Sequence, residues 1–265
     1  MSILSIYDKL LFMLWLVILF SLLGDIIAIS AGASLMIRKS GAESLAKYAT
    51  PFAAGALLAA AFCDLLPDAD REGNIQNALI ATLAGILVFF LLERAVHWFH
   101  HHHDDNAAPA DHAKTATVPL IIVGNLLHRA IDGVAIAAGF LVSLPAGLVV
   151  TAAIVVHEIP HTIGDFGLLL YKKVSRKNVL LINIGVALLT TFFAALVFAL
   201  GSHIHLPLDI LLGLTAGFFI YIAVSDIIPD IHVRETKAFV GWQSVLLIGG
   251  AIIVGILVEL LSKLE

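Results

Sequence analysis

His128 and Asp132 are four residues apart in "NLLHRAIDGVAIAAGF", and His157 and His161 are four apart in "VVHEIPHTIGDFG". On a helix each such pair shares one face. Three imidazoles and a carboxylate converging from two neighbouring helices form the donor set of a divalent metal of the Zn²⁺ type. A lone histidine in so apolar a setting is more often a hydrogen-bond donor between helices. Two facing pairs are harder to explain that way, because ionisable groups in hydrocarbon are costly unless they meet partners or line a cavity.

The neighbouring residues extend the picture. Pro160 has no N–H, so it frees the carbonyl of Val156 and is expected to bend the helix beside a cavity. Gly133 and Gly164 follow the two pairs and are expected to allow close helix approach. Asp165 is either a pathway acid or a helix-end acid near the inner surface. Asp25, in the first span, either pairs with Arg129 or lines the pathway.

Helices must carry these groups through a bilayer. The chain has 265 residues, is 60% hydrophobic and only 13% charged, with a mean hydropathy of +1.01. Soluble domains carry about twice that charge. Apolar runs long enough to cross the hydrocarbon core fall at about 10–36, 46–67, 76–98, 118–141, 146–171, 178–201, 207–229 and 240–262. The first is too long for a signal peptide and is preceded only by Lys9. Cys63 is the lone cysteine, which excludes an internal disulfide and a Cys-rich zinc module. No basic patch points to nucleic acid.

Basic residues set the orientation. With the N-terminus outside, the inner loops hold Arg38, Lys39, Lys47, Arg94, Lys114, Lys172, Lys173, Arg176, Lys177, Arg234 and Lys237. The outer side holds only Lys9, Arg71 and Lys263. The positive-inside rule therefore places both termini outside. The compact chain is expected in the plasma (inner) membrane of a prokaryote.

Two spans end alike, "CDLLPDAD" at 63–70 and "SDIIPDIH" at 225–232, and each is followed by a span with a late glutamate, Glu93 or Glu259. The matched spans are the second and seventh, so they run in opposite directions. That predicts an all-α membrane protein of eight helices in a 3+2+3 inverted-repeat arrangement. Residues 1–98 form the first repeat, 118–171 the central pair and 178–262 the inverted repeat. Asp64 and Asp68 then fall near the outer mouth, and Asp226, Asp230 and His232 near the inner one. Alone, each copy would mark no more than a solvated helix end; together they point to a cation pathway. Pro67 and Pro229 are expected to free the carbonyls of Cys63 and Ser225. Residues 99–117 form a cytoplasmic loop in which His100–His103 and His112, with His97 just before it and Asp104, Asp105 and Asp111, are placed to capture metal weakly.

Three functions fit a metal centre of this kind. A transporter uses the repeat for alternating access. A sensor binds metal without moving it. An intramembrane protease would use "HEIPH" as H-E-x-x-H, with Glu158 as base. Catalytic zinc needs an open position for water, for which His128 and Asp132 would compete, and a proline inside the motif would distort it.

"HEIPHTIGDF" resembles the HEIPHELGDF signature of the ZIP family of divalent-metal transporters, especially its LIV-1-like branch, and "HRAIDG" resembles the family's HNxxDG in the preceding helix. The eight spans, outer termini and His-rich loop also match. The resemblance implies transport of zinc, and in some members iron, manganese or cadmium, into the cytoplasm, by a homodimer and without enzymatic activity. It implies a first site at His128, Asp132, His157 and His161. It makes Glu158 a ligand of a second site, bridged by Asp132, and places Asp64 and Asp226 along the pathway. Arg129 stands where the family has a ligating asparagine. A guanidinium has no lone pair to offer, so Arg129 is expected to take the place of a second cation and to pair with Glu158 or Asp132. Thr162, where the family usually has glutamate, is expected to matter less.

Overall fold

A computed structural model describes residues 3–101, 118–201, 206–233, 240–261 and 263, and every regular element among them is helical. Eight helices are long and apolar enough to cross a membrane. They are α1 (Ile3–Ile37), α2 (from Lys39), α3 (Ile75–His101), α4 (Val118–Val142), α5 (Leu144–Tyr171), α6 (Arg176–Gly201), α7 (from Leu208) and α8 (Val240–Leu261). The expected spans lie on these helices. The histidine-rich loop, expected over 99–117, is still helical at 99–101, where α3 ends; residues 102–117, and the side chains of His97, His100 and His101, lie outside the described residues.

α2 and α7 share an irregularity. α2 runs as Lys39–Ala59, passes through a π-helical turn at Ala60–Leu65 and resumes over Leu66–Glu72. α7 runs as Leu208–Tyr221, passes through a π-helical turn at Ile222–Ile227 and resumes over Ile228–Val233. Leu66 donates its N–H to the Ala61 carbonyl, and Ile228 donates to Ala223, each five residues back. Pro67 and Pro229 follow directly, so the ladder is re-registered where each proline withholds a donor.

The helices pair in a regular way. α2 packs chiefly on α8, α3 on α7, α1 on α5 and α4 on α6. Glycines set two of these crossings. A Cβ on Gly55 would strike the Leu247 carbonyl of α8, and one on Gly250 would strike the Phe52 carbonyl of α2. Gly85 and Gly217 face each other between α3 and α7. Small residues let backbones approach closely, which supplies packing where water expulsion cannot.

The core is lined by residues such as Leu57, Ile136, Val150 and Phe219, all essentially inaccessible. Large apolar side chains also cover the outside, including Phe12, Trp15, Leu83, Phe192, Trp242 and Ile252. A soluble monomer does not expose apolar surface on that scale. On a membrane protein it is the lipid-facing shell.

Candidate metal centre

The geometry of the centre begins at a tight turn. Ser143 separates α4 from α5 and caps α5, accepting a hydrogen bond from the N–H of Ala146 at 3.2 Å, with Pro145 in the first turn. The two helices therefore run antiparallel from one point. His128 lies fifteen residues before Ser143 and His157 fourteen after it. At 1.5 Å per residue both sit about 21 Å from the turn, so the chain brings them to one depth. Gly139 and Gly147 keep the helices close along the way, since a Cβ on either would press on the opposite helix.

At that depth His128, Asp132, His157 and Glu158 converge, and one ligand atom from each lies within 4.8 Å of all the others. The two Nε2 atoms of His128 and His157 are 3.1 Å apart. Glu158 Oε1 is 3.4 Å from His128 and 3.6 Å from His157. Asp132 Oδ2 is 3.8 Å from each imidazole. Four ligands bound tetrahedrally at zinc–nitrogen and zinc–oxygen distances would stand about 3.3 Å from one another. The five distances involving an imidazole lie between 3.1 and 3.8 Å, within about half an ångström of that spacing. Both Asp132 oxygens and Glu158 Oε1 are buried without a hydrogen-bond partner. Buried carboxylate oxygens left in that way are expected where a cation belongs.

The outer oxygen of Glu158 has a different partner. Arg129 Nη2 is ion-paired with Glu158 Oε2 and donates to Thr162 Oγ1 at 2.9 Å. Its Nη1 reaches Asp25 Oδ1 of α1 at 3.1 Å. Thr162 donates to Glu158 Oε2 at 3.3 Å. Asp25 Oδ2 accepts from Thr191 of α6 at 3.2 Å, and Ser21 donates to Thr191 at 3.0 Å. Arg129 thus pairs with Glu158, as one of the two expected alternatives, and with Asp25; no ion pair with Asp132 occurs among the described residues. Thr162 is not minor: it is fully buried and touches both members of the pair. Ser21 was not singled out in the sequence, and a lone serine in an apolar span gives no signal that it would be needed.

His161 lies outside the four-residue cluster. Its ring stacks on His128, with centroids 4.6 Å apart and planes 7° from parallel. Its Nδ1 faces Asp165 Oδ2 at 3.4 Å, and Asp165 accepts from Asn125 Nδ2 at 2.6 Å. The spacing on α5 puts His161 on the face of His157, but one turn further along.

Other expectations meet mixed outcomes. α5 runs as continuous α-helix through Pro160. Gly133 does allow close approach, since a Cβ there would strike the Thr190 carbonyl of α6; Gly164 does not, having nothing within 4 Å. On α2, Asp64 and Asp68 are buried, and Asp68 pairs with Arg71 at 2.7 Å. The side chains of Asp226, Asp230 and His232 lie outside the described residues. Glu93 accepts from Tyr221 of α7 at 2.5 Å, whereas Glu259 pairs with exposed Lys263 at 3.0 Å.

Comparison with known proteins follows the same lines. The family model of the ZIP zinc transporters matches residues 102–258. Zinc transporter ZIP13 of Pongo abelii is 31% identical over 244 residues, covering 85% of this chain and 70% of its own length. ZIP13 of Mus musculus is 30% identical over 266 residues, covering 86% of this chain and 73% of its own. Zinc transporter ZIP4 of Mus musculus is 37% identical over 120 residues, which is 44% of this chain and 18% of its own length.

Proposed function

This chain belongs to the ZIP family of zinc transporters, in its LIV-1-like branch, and we propose that it carries Zn²⁺ into the cytoplasm through the centre formed by α4 and α5. It is a membrane metal transporter and not an enzyme, with zinc as its substrate. The finer assignments are ours. His128, Asp132, His157 and Glu158 hold the ion. The observation that carries this is the convergence of four buried donors within 4.8 Å of one another, three of whose carboxylate oxygens make no hydrogen bond.

The cluster takes one ion. Buried Asp25, Asp132 and Glu158 bring three formal negative charges and Arg129 returns one positive, so a single divalent cation neutralises the group. Arg129 fills the position of a second cation and keeps Glu158 Oε1 turned toward the imidazoles. Imidazole and carboxylate also suit Fe²⁺, Mn²⁺ and Cd²⁺, which are secondary substrates in this reading.

The path runs from Asp64 and Asp68 outside, through the cluster, to Asp226 and Asp230 inside, with both termini outside. The 3+2+3 inverted repeat accounts for alternating access: the π-turns of α2 and α7 and the pairings of α2 with α8 and α7 with α3 support it. The working unit is a homodimer in the plasma membrane. An intramembrane protease is disfavoured because Asp132 and His128 fill the position that a catalytic water needs.

The test is zinc accumulation in cells expressing the wild type or Asp132→Asn. Accumulation above the empty-vector level that is lost in the variant supports import through this centre. Accumulation that survives the substitution, or wild-type cells that lose zinc, contradicts it.

A further inference from the structure

Cations without partners gather at one end of the helix bundle. Arg38 follows α1, and Lys173, Arg176 and Lys177 occupy the turn between α5 and α6. Met36 and Val174 pack on one small core of Phe166, Leu169 and Val179, which brings the end of α1 beside that turn. All four basic side chains are exposed, and none forms an ion pair among the described residues. The turn lies in a stretch, 166–208, that has no aspartate or glutamate. At the opposite end of the bundle Arg71 is held by Asp68 at 2.7 Å and Lys263 by Glu259 at 3.0 Å.

The backbone of the turn adds an independent sign. α5 ends in a Schellman motif, in which the N–H of Val174 donates to the Leu169 carbonyl at 3.1 Å and that of Lys173 to Leu170 at 3.0 Å. The left-handed position of this motif usually holds glycine. Here it holds Lys173, whose φ of 62° is the only positive one for a non-glycine among the described residues. A side chain is disfavoured in that region, and strain kept in a native structure points to a use for the residue that bears it.

The surface beyond the turn is shaped for hydrocarbon. Lys177, Leu181, Ile184, Leu188 and Phe192 follow at three- and four-residue steps, so they line one face of α6. The four apolar members are 37–56% exposed. Gly185, on the same face, has nothing within 4 Å of a β-carbon placed there, so the stripe is indented. An apolar stripe headed by unpaired cations matches a molecule with a phosphate at one end and acyl chains behind it.

We propose that the α5–α6 turn binds the headgroup of an anionic phospholipid, with Arg38 flanking it from α1 and the acyl chains lying along Leu181, Ile184 and Leu188. The lipid fastens the end of α5, the helix that carries His157 and Glu158, to the membrane surface. The rival account makes these residues orientation signals and nothing more. Such charges attract anionic lipid diffusely, so that basic residues elsewhere at the same end count equally.

Native mass spectrometry of the purified full chain in detergent, titrated with phosphatidylglycerol or phosphatidylcholine, separates the two. We expect the wild type to hold phosphatidylglycerol at least about tenfold more tightly than phosphatidylcholine, and the variant Lys173→Gln/Arg176→Gln/Lys177→Gln to lose the preference. Lys47→Gln/Arg94→Gln, which removes charge from α2 and α3, should keep it. Lys173→Gly relieves the strained position, so it should raise the unfolding midpoint while weakening phosphatidylglycerol about fivefold. Equal retention of the two lipids by the wild type overturns the proposal. So does a preference that survives the triple substitution, falls equally in the α2–α3 variant, or is untouched in Lys173→Gly. Displacement of phosphatidylglycerol by millimolar inorganic phosphate would assign the turn to a free anion and overturn the lipid.

Discussion

Arg129 of α4 and Glu158 of α5 are ion-paired, each one residue beyond a histidine of the metal cluster. The pair divides Glu158 between two jobs. One oxygen is tied to a guanidinium, and the other faces His128 and His157. A fixed cation therefore stands beside the site proposed for a mobile one.

Replacing Arg129 with asparagine removes that fixed charge and leaves three buried carboxylates around the site. The expected outcome is a rise in tightly bound zinc from about one ion per chain to about two, because the freed Glu158 oxygen and Asp25 again need a cation. Elemental analysis of purified, zinc-equilibrated protein reads this directly. A count that stays near one would show that Arg129 is not a stand-in for metal.

Asp25 is the other anchor of Arg129, and its loss should be felt as instability. Asp25→Asn breaks one arm of a buried pair, for which a cost of about 3–5 kcal/mol is expected. Thermal unfolding in detergent should show a clearly lower midpoint, and part of the loss should vanish when Arg129→Met is added. Additive losses in the double variant would mean that the two residues are not coupled.

Much of this centre was visible in the sequence, and the limits have physical causes. The helical repeat fixes which residues share a face, so the pairs His128 with Asp132 and His157 with His161 stood out. It does not fix how the members of one face are disposed around the centre: Glu158, raised by the H-E-x-x-H pattern and by the resemblance, is one of the four clustered donors, and His161 stacks beside His128. The network of Asp25, Thr191 and Ser21 depends on α1 and α6 meeting α4, contacts 104 or more residues apart that no local pattern encodes. Pro67 and Pro229 announced a disturbed ladder, but proline alone does not specify a π-turn. Gly133 and Gly164 looked equivalent because only the neighbouring helix decides whether a missing Cβ is used.

Those glycines give a paired prediction. Gly55→Ala drives a Cβ into the Leu247 backbone, which has no rotamer to yield, and should cost about 1–3 kcal/mol. Gly164→Ala meets open space and should be neutral, or stabilising by about 0.5–1 kcal/mol through helix propensity. Chemical or thermal unfolding of the two variants side by side checks the α2–α8 crossing. Equal effects would contradict it.

The most direct measurement is radiolabelled zinc entry into proteoliposomes containing purified protein, wild type against His157→Ala. His157 is almost fully buried and contributes to the cluster without joining the Arg129 network. The account predicts saturable uptake by the wild type that falls to the empty-liposome level in the variant, with the variant still folded. Uptake that persists in His157→Ala, or stoichiometric binding with no entry in either protein, would contradict transport through this centre.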